Sequence, residues 1–337
     1  MTNRPRYRPR HSLQHRLAHC VVAAGFAACA AASGSHAQEN WPSKPIRVVL
    51  PFPPGGPSDI SMRLAAEKMQ AVLKQTLVID NKPGAGGNLG AAEVARAPAD
   101  GYKWLWGTDT LVTVNPHVYK NPGFKVDELV PVTIGTQFNQ TLVCHPGVGV
   151  KTLAELVAKA KTNPMSYASG GAGVPGHLSM ELLQAMAGFE MNHIPYKGPA
   201  PAPAAQDVLG GQVHCGLLAG PTVLPHVRAG KLVALAVSGS TRSPTLPEVP
   251  TMAEAGAPGY EANFALALFA PRGTPEQIVA RFRAVFVEAL KASDVSDKLK
   301  ASDQSVVGST PAQAAATLAA DSKKWGEVAR RIKLGLD

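Results

Sequence analysis

Apolar residues along this chain recur with two different periods, and each change of period marks a change from strand to helix. Residues 46–50 form a β-branched apolar run that predicts a buried strand. Residues 60–74 carry apolar side chains at helical spacing, which predicts an amphipathic helix. Its apolar positions are Ile60, Leu64, Met69, Val72 and Leu73.

The turn between this strand and this helix, residues 51–59, reads PFPPGGPSD. Ser58 or Asp59 is predicted to cap the helix. A helix N-terminus presents unpaired backbone N–H groups and a positive dipole end, which suit an anion. In open α/β sheets, ligands bind at this edge. The alternative is an ordinary connection with an N-cap, and the turn alone does not decide between the two.

The same succession occurs a second time, much later in the chain. Residues 166–169 predict a short strand, residues 170–177 read GGAGVPGH, and residues 178–186 predict a helix. We therefore expect two domains that each present one glycine-rich turn to a shared cleft. Because α/β proteins contain many glycine turns, the recurrence favours this arrangement without proving it.

Two further segments are candidates for the neighbourhood of the first turn. Residues 81–90, NKPGAGGNLG, imitate a dinucleotide fingerprint, but Leu89 stands where the pattern needs Gly. We interpret them as a turn that packs a helix, residues 91–97, near the first loop. Thr108 and Thr110 follow a predicted strand and could either contact a ligand or bond their own backbone.

The remaining pattern predicts how the chain travels between domains. Residues 130–143 are extended and could carry it into a second domain, and residues 264–270 could carry it back. Thr152 begins a capping box, Thr274 is predicted to cap a long helix, and Thr310 precedes the last helix. Other strands are predicted at residues 77–80, 102–106, 213–218 and 231–237.

Charge is concentrated at the N-terminus. Five arginines lie in the first 19 residues, residues 20–32 are small or apolar, and Ser35-His36-Ala37 follows. This pattern predicts a secretory signal peptide, residues 1–37, cleaved near Ala37. Cys29 could instead be lipid-modified, although residues 26–28 match that signal poorly. Removing those five arginines from the 33 basic residues leaves 28, which nearly balance the 24 acidic ones, so nucleic-acid binding is not predicted.

Candidate chemistry is sparse in the rest of the chain. Cys144 and Cys215 could form a disulfide or remain two buried thiols, and spacing leaves both open. The chain contains no G-x-S-x-G, H-E-x-x-H, P-loop or C-x-x-C motif, and its histidines lack ligand spacing. Asp59 and His177 could pair across the cleft, but no nucleophile or metal accompanies them. We therefore expect no enzyme activity, no metal and no cofactor.

A series of short motifs, in order along nearly the whole mature chain, matches one known family. They are 41–47 (WPSKPIR), 51–56 (PFPPGG), 81–88 (NKPGAGGN), 99–102 (ADGY), 167–169 (YAS), 195–198 (PYKG), 209–213 (LGGQV), 229–232 (AGKL), 247–251 (PEVPT), 254–256 (EAG) and 268–271 (LFAP). The chain resembles the Bug family, the periplasmic solute-binding proteins of tripartite tricarboxylate transporters.

The resemblance implies an α/β, two-domain periplasmic binding protein of the type II, Venus-flytrap kind, with two crossing strands. The implied division is residues 38–139 and 263–337 for domain I and residues 140–262 for domain II. It also implies that backbone N–H groups and water hold a carboxylate between the lobes. The residues implied to line the site are Phe52, Gly55, Gly56, Ser58, Asp59, Thr108, Thr110, Ser169, Gly170, Ala172, Gly173, His177, Tyr196 and Gly198.

Three positions depart from the family pattern. Pro57 removes an N–H donor from the first turn, Leu218 stands where an aspartate is frequent, and residues 263–266 lack the usual Trp. We expect these changes to make the cleft less polar, which favours a carboxylate with an apolar or aromatic body over an amino acid.

The expected partners follow from the resemblance alone. A monomeric periplasmic protein would pass a small organic carboxylate to the membrane components of a tripartite tricarboxylate-type transporter. Two alternatives remain at this point: a ligand sensor that feeds a two-component kinase, and an enzyme that uses the cleft to act on a carboxylate.

Overall fold

The computed structural model of the protein describes residues 41–196, 201–331 and 334–335. The predicted signal peptide, Cys29 and Gly198 lie outside the described residues. Residues from Lys44 onward cluster into one unit, which contains both sheets. No described helix has the length and apolar character needed to cross a membrane.

Strands and helices alternate along the described chain, as the change of period predicts. The strands are β1 (Ile46–Leu50), β2 (Leu77–Asn81), β3 (Lys103–Thr108), β4 (Leu129–Phe138), β5 (Gln140–Cys144), β6 (Ser166–Ser169), β7 (Asn192–Pro195), β8 (Cys215–Ala219), β9 (Val233–Val237), β10 (Phe264–Pro271) and β11 (Gln304–Val306). The helices are α1 (Pro57–Leu73), α2 (Asn88–Ala95), α3 (Thr110–Thr113), α4 (Asn115–Val118), α5 (Leu153–Ala160), α6 (Pro175–Ala187), α7 (Pro201–Leu209), α8 (Gly220–Arg228), α9 (Glu276–Lys291), α10 (Ser293–Ala301) and α11 (Pro311–Arg331).

The strands form two sheets, in the orders β11-β4-β10-β3-β1-β2 and β7-β6-β8-β5-β9. Strands β4 and β5 are separated only by Asn139, yet they belong to different sheets. Strand β10 follows β9 in sequence and pairs with β3 and β4, so it returns the chain to the first sheet. The α/β fold with two crossing segments, predicted from residues 130–143 and 264–270, is confirmed.

Helices cover both faces of the first sheet because its central strands are apolar on both sides. On one face, Trp104 stacks on Phe282 at 4.1 Å between ring centroids, and Trp106 meets Phe286 edge-on at 4.9 Å. The predicted apolar stripe of α9 therefore packs against β3. On the other face, a core cluster joins Leu105 of β3 to helices α2 and α11.

The second sheet settles the state of Cys144 and Cys215. Cys144 of β5 lies directly opposite Cys215 of β8 in an antiparallel ladder, and their sulfurs form a disulfide. The bond links residues 71 positions apart in the sequence. Sequence spacing could not choose between a disulfide and two thiols, because strand pairing decides which residues face each other.

Several predicted helix boundaries are wrong by a few residues. Helix α1 begins at Pro57 with Gly56 as its N-cap, so neither Ser58 nor Asp59 is the cap. Proline suits the first helical position because its fixed φ matches the helix and the missing N–H would have been unpaired there. Val72 is 62% exposed and does not belong to the core stripe.

Of the other predicted caps, one is confirmed and one is wrong. Thr152 is the N-cap of α5 and accepts a hydrogen bond from the Glu155 N–H, which confirms the capping box. Thr274 is not a cap, since α9 has Pro275 at its N-cap and the Thr274 hydroxyl donates to the Pro271 carbonyl at 2.8 Å. Helix α6 begins at Pro175, before the predicted start.

Candidate functional site

Helices α1 and α6 begin in the same way at the carboxyl ends of β1 and β6. In each, an extended N-cap residue, Gly56 or Val174, precedes a proline. Because proline has no N–H, the donors left at these ends are the backbone groups of the next residues, beginning with Ser58 in α1 and Gly176 in α6. The local sequence thus builds two matching donor ends on different sheets.

Both helix ends line one cavity, which we call the inner cavity. It holds about 550 Å³ of space not filled by atoms, including the part open to solvent. Strands of both sheets complete its wall. The lining residues are Phe52, Gly56, Pro57, Ser58, Thr108, Phe138, Gln140, Gly170, Val174, Pro175, Gly176, Leu218, Ala219 and Leu266.

An outer cavity of about 870 Å³ adjoins it, because Phe52, Gly170 and Val174 line both spaces. The glycine-rich segment 84–87, Tyr119 and Tyr196 form the rest of its lining with neighbouring residues. Gly87 and Gly90 pack closely on the first loop, because a Cβ added at either position would lie within 3.3 Å of the Pro51 side chain. The interpretation of residues 81–90 as a packing turn is confirmed.

No charged side chain is among the residues that line the inner cavity within the described chain. Backbone N–H groups at the two helix ends therefore supply its positive potential. Such an arrangement can hold a carboxylate, since several N–H donors can replace the hydration of an anion without a buried arginine.

Asp59 belongs to the support of the first turn and does not line either cavity. Its carboxylate accepts the Gly55 N–H at 3.1 Å and the Arg63 Nε–H at 2.9 Å. Asn81 donates to the same group at 3.3 Å and to the Phe52 carbonyl at 2.9 Å. Burial alone would raise the Asp59 pKa, but the hydrogen bonds from Arg63 and Gly55 outweigh it, so the pKa lies below its usual value.

The second turn is supported by two stacked histidines. The Gly173 N–H donates to His177 Nδ1 at 3.0 Å, and His193 Nε2 lies 2.7 Å from the Ser169 hydroxyl. That hydroxyl in turn bonds both the carbonyl and the N–H of Gly171. Burial lowers the pKa of His177 to about 4 and that of His193 to about 3, so both rings are neutral at physiological pH.

The predicted site residues therefore fall into three groups. Phe52, Gly56, Ser58, Thr108 and Gly170 line the inner cavity. Ala172 and Tyr196 line the outer cavity. The other described residues of the set line neither cavity, and their contact with a ligand stays a prediction: Gly55, Asp59, Thr110, Ser169, Gly173 and His177.

The structure separates the candidate catalytic groups. Asp59 and His177 are each engaged on their own turn, so the proposed acid–base pair is not formed. Ser169 and His193 do form a hydroxyl–imidazole pair, but the Ser169 side chain is fully buried and its hydroxyl donates to the Gly171 carbonyl. This pair supports a turn and is not exposed to either cavity.

Sequence reasoning missed several cavity residues, including Phe138, Gln140 and Val174, and gave Leu218 and Leu266 only as departures from a pattern. Strand pairing and the crossings between sheets bring these positions together. The sequence contained one signal of the close packing at this site, the pair Pro175-Gly176. In the structure, a Cβ on Gly176 would lie 2.0 Å from the Leu217 carbonyl oxygen. A proline–glycine pair at a helix start can mark such a close approach.

Two sheets joined by two crossings, with two helix N-termini on one cavity whose described lining is uncharged, define a solute-binding protein of the periplasmic type. Residues 61–334 match the tripartite tricarboxylate transporter family receptor, and the chain belongs to that family. Proteins of this family are periplasmic binding proteins that serve a tripartite transporter.

Individual relatives agree with this assignment. The chain is 35% identical to protein BugT of Bordetella pertussis over 309 residues, which cover 90% of this chain and 94% of BugT. The periplasmic binding protein BugD has a TM-score of 0.81 and 32% identity, covering 88% of this chain and 99% of BugD. Rpa4515 of R. palustris, solved with adipate, has a TM-score of 0.83 and 33% identity, covering 88% of this chain and 99% of Rpa4515.

Proposed function

We propose that this protein binds a small organic carboxylate in the inner cavity and presents it to the membrane components of a tripartite tricarboxylate transporter. One observation carries the proposal: two helix N-termini, each with proline at its first position, face a cavity that no charged side chain of the described residues lines. The adipate bound to Rpa4515, a relative of 33% identity, is itself a carboxylate and supports the same ligand class.

The two sheets supply the two lobes of this proposal. Residues 38–139 and 263–337 would form one lobe and residues 140–262 the other, since the chain changes sheet at Asn139 and again before β10. A ligand that contacts both helix ends binds a closed arrangement more tightly than an open one and so favours closure. The closed monomer would then be recognised by the transporter in the periplasm, after cleavage of the signal peptide near Ala37.

The ligand should carry an apolar body. Pro57 and Leu218, two positions at which the chain departs from the family pattern, line the inner cavity, and so does Leu266, the last residue of the segment 263–266 that lacks the usual Trp. Phe52, Phe138 and Val174 extend this apolar wall. An ammonium group would be buried there without a carboxylate partner, which is costly, so amino acids should bind poorly.

A thermal-shift screen of the mature protein, from Gln38 onward, tests the proposal after refolding has removed any ligand acquired during expression. The panel contains aliphatic and aromatic mono-, di- and tricarboxylates, with the corresponding amino acids and amides as controls. Ligand at about 100 times its Kd adds about 2.7 kcal/mol to the free energy of unfolding and raises Tm by a few degrees.

We expect carboxylates with apolar bodies to raise Tm while their amides do not, and the ligand to be recovered unchanged. Binding of the amides as tightly as the acids would contradict the anion site. A panel in which only aspartate or glutamate bound would contradict the apolar preference, and turnover of a carboxylate would favour the enzyme alternative.

A further inference from the structure

Gln140 is the first residue of β5, directly after the crossing at Asn139, and it lines the inner cavity. Only 4% of the residue is exposed. Its backbone is fixed, because its N–H donates to the Ser238 hydroxyl at 3.0 Å and its carbonyl accepts the Ser238 N–H at 2.9 Å. The side-chain amide, in contrast, makes no hydrogen bond within the described part of the chain.

Because Gln140 lines the cavity, a ligand that fills the cavity removes water from its amide, which is unfavourable unless the ligand supplies hydrogen bonds in return. Most of the surrounding wall offers no compensation, since Phe138, Leu218 and Leu266 are apolar. The hydroxyl of Thr108 is already paired with that of Thr110 at 2.6 Å. The amide is therefore left for a molecule that occupies the cavity.

The position of the amide relative to helix α6 indicates which part of a ligand it meets. Its Oε1 lies 3.4 Å from the point that a Cβ on Gly176 would occupy, beside the first turn of α6. A carboxylate held by the N–H groups of that turn would place its neighbouring carbon next to the Gln140 amide. A neutral amide can donate to an oxo or hydroxyl oxygen and accept from a hydroxyl, whereas it gives an ammonium little compensation for desolvation.

We propose that Gln140 is a specificity-determining residue that selects monocarboxylates bearing a hydroxyl or oxo group on the carbon next to the carboxylate, with an apolar body beyond it. This inference rests on the proposed function, because it assumes that a carboxylate occupies the inner cavity. It adds a polar contact from β5 to the donors at the two helix ends.

Isothermal titration of the refolded protein with matched ligands tests the inference. The pairs are 3-phenyllactate with 3-phenylpropionate and 2-hydroxy-4-methylpentanoate with 4-methylpentanoate. Phenylalanine and leucine complete the series as the amino analogues. In the unmodified protein we expect the hydroxy acid of at least one pair to bind about 10- to 100-fold more tightly than its unsubstituted partner, which is the range of one hydrogen bond that satisfies a buried group.

Two variants test whether the preference for the hydroxy acid depends on Gln140. Gln140→Leu should bind both members of the pair within about threefold of each other, and its Tm without ligand should be nearly unchanged because the amide makes no hydrogen bond within the described part of the chain. Gln137→Leu changes the same residue type at an exposed position of β4 and should retain the preference. Equal affinity of the unmodified protein for both members of each pair overturns the inference.

Equal weakening of both members by Gln140→Leu also overturns it, because the amide would then act on the carboxylate itself. These outcomes leave the proposed function intact as long as carboxylates bind. If no carboxylate of the wider panel binds the refolded protein, the proposed function fails and the role of Gln140 fails with it.

Discussion

Acid should destabilise the glycine-rich turn 170–173 through His177 and His193. His177 Nδ1 can accept the Gly173 N–H only while it carries no proton. Burial lowers the pKa of both rings, and the nearby His177 adds to the effect at His193. Protonation of His177 would remove the acceptor and place a charge against the stacked ring of His193, 4.0 Å away between centroids.

The size of the effect follows from the difference between the folded and unfolded pKa values. An unfolded histidine titrates near pH 6.5, whereas His177 titrates at about 4. Between these values the unfolded chain binds a proton that the native protein excludes, so stability falls as the pH falls. The loss is about 1.4 kcal/mol per pH unit, or roughly 3 kcal/mol for His177 between pH 7 and pH 4, and it levels off below that pH.

The groups facing His177 and His193 change the size of this loss of stability but not its sign. The Glu181 carboxylate lies 3.7 Å from His177 Nε2 and would stabilise a charged ring. It also accepts hydrogen bonds from Tyr167 and Gln184, which reduces its influence. Tyr167, stacked on His193 at 4.8 Å, stays neutral because burial raises its pKa.

Urea unfolding of the unmodified protein and of His177→Asn, measured between pH 7 and pH 4, isolates the contribution of His177 to the pH dependence of the free energy of unfolding. The asparagine amide oxygen can take the place of Nδ1 and does not titrate. The stability of the unmodified protein relative to this variant should therefore fall by about 3 kcal/mol over the range. His226→Asn on α8 is the matched control. A difference that stays constant from pH 7 to pH 4 would refute the reasoning.

Three further outcomes follow from the packing of the two sheets. Replacing Cys144 and Cys215 together by alanine should lower the free energy of unfolding by about 2–5 kcal/mol, and the same loss should follow reduction of the unmodified protein before denaturant unfolding. Gly170→Phe should abolish carboxylate binding in titrations at nearly unchanged Tm, since the nearest atom to its Cβ is a valine methyl at 3.7 Å. Gly176→Ala should lower Tm strongly in calorimetry, because its Cβ would lie 2.0 Å from the Leu217 carbonyl oxygen; an unchanged Tm would contradict that close approach.

The sequence by itself determined the elements and their order, because these depend on interactions between near neighbours. The apolar run 46–50 and the strand β1 have the same bounds. The capping box at Thr152 and the proline at the start of α11 could also be predicted from the local sequence. The two glycine-rich turns were visible as strand–turn–helix units, and the family followed from short motifs along the chain. Helix α1 begins before the predicted caps Ser58 and Asp59 because proline occupies its first position.

Only the tertiary structure decided which side chains meet in the cavity. Gln140, Leu218 and Leu266 come from three strands in two sheets, and their meeting depends on register and on the crossing at Asn139. A shift of one residue would turn each side chain to the opposite face of its sheet. The disulfide has the same origin in strand pairing. His177 accepts the Gly173 N–H, a hydrogen bond that depends on how the turn folds and that the sequence did not indicate, and its contact with a ligand stays a prediction.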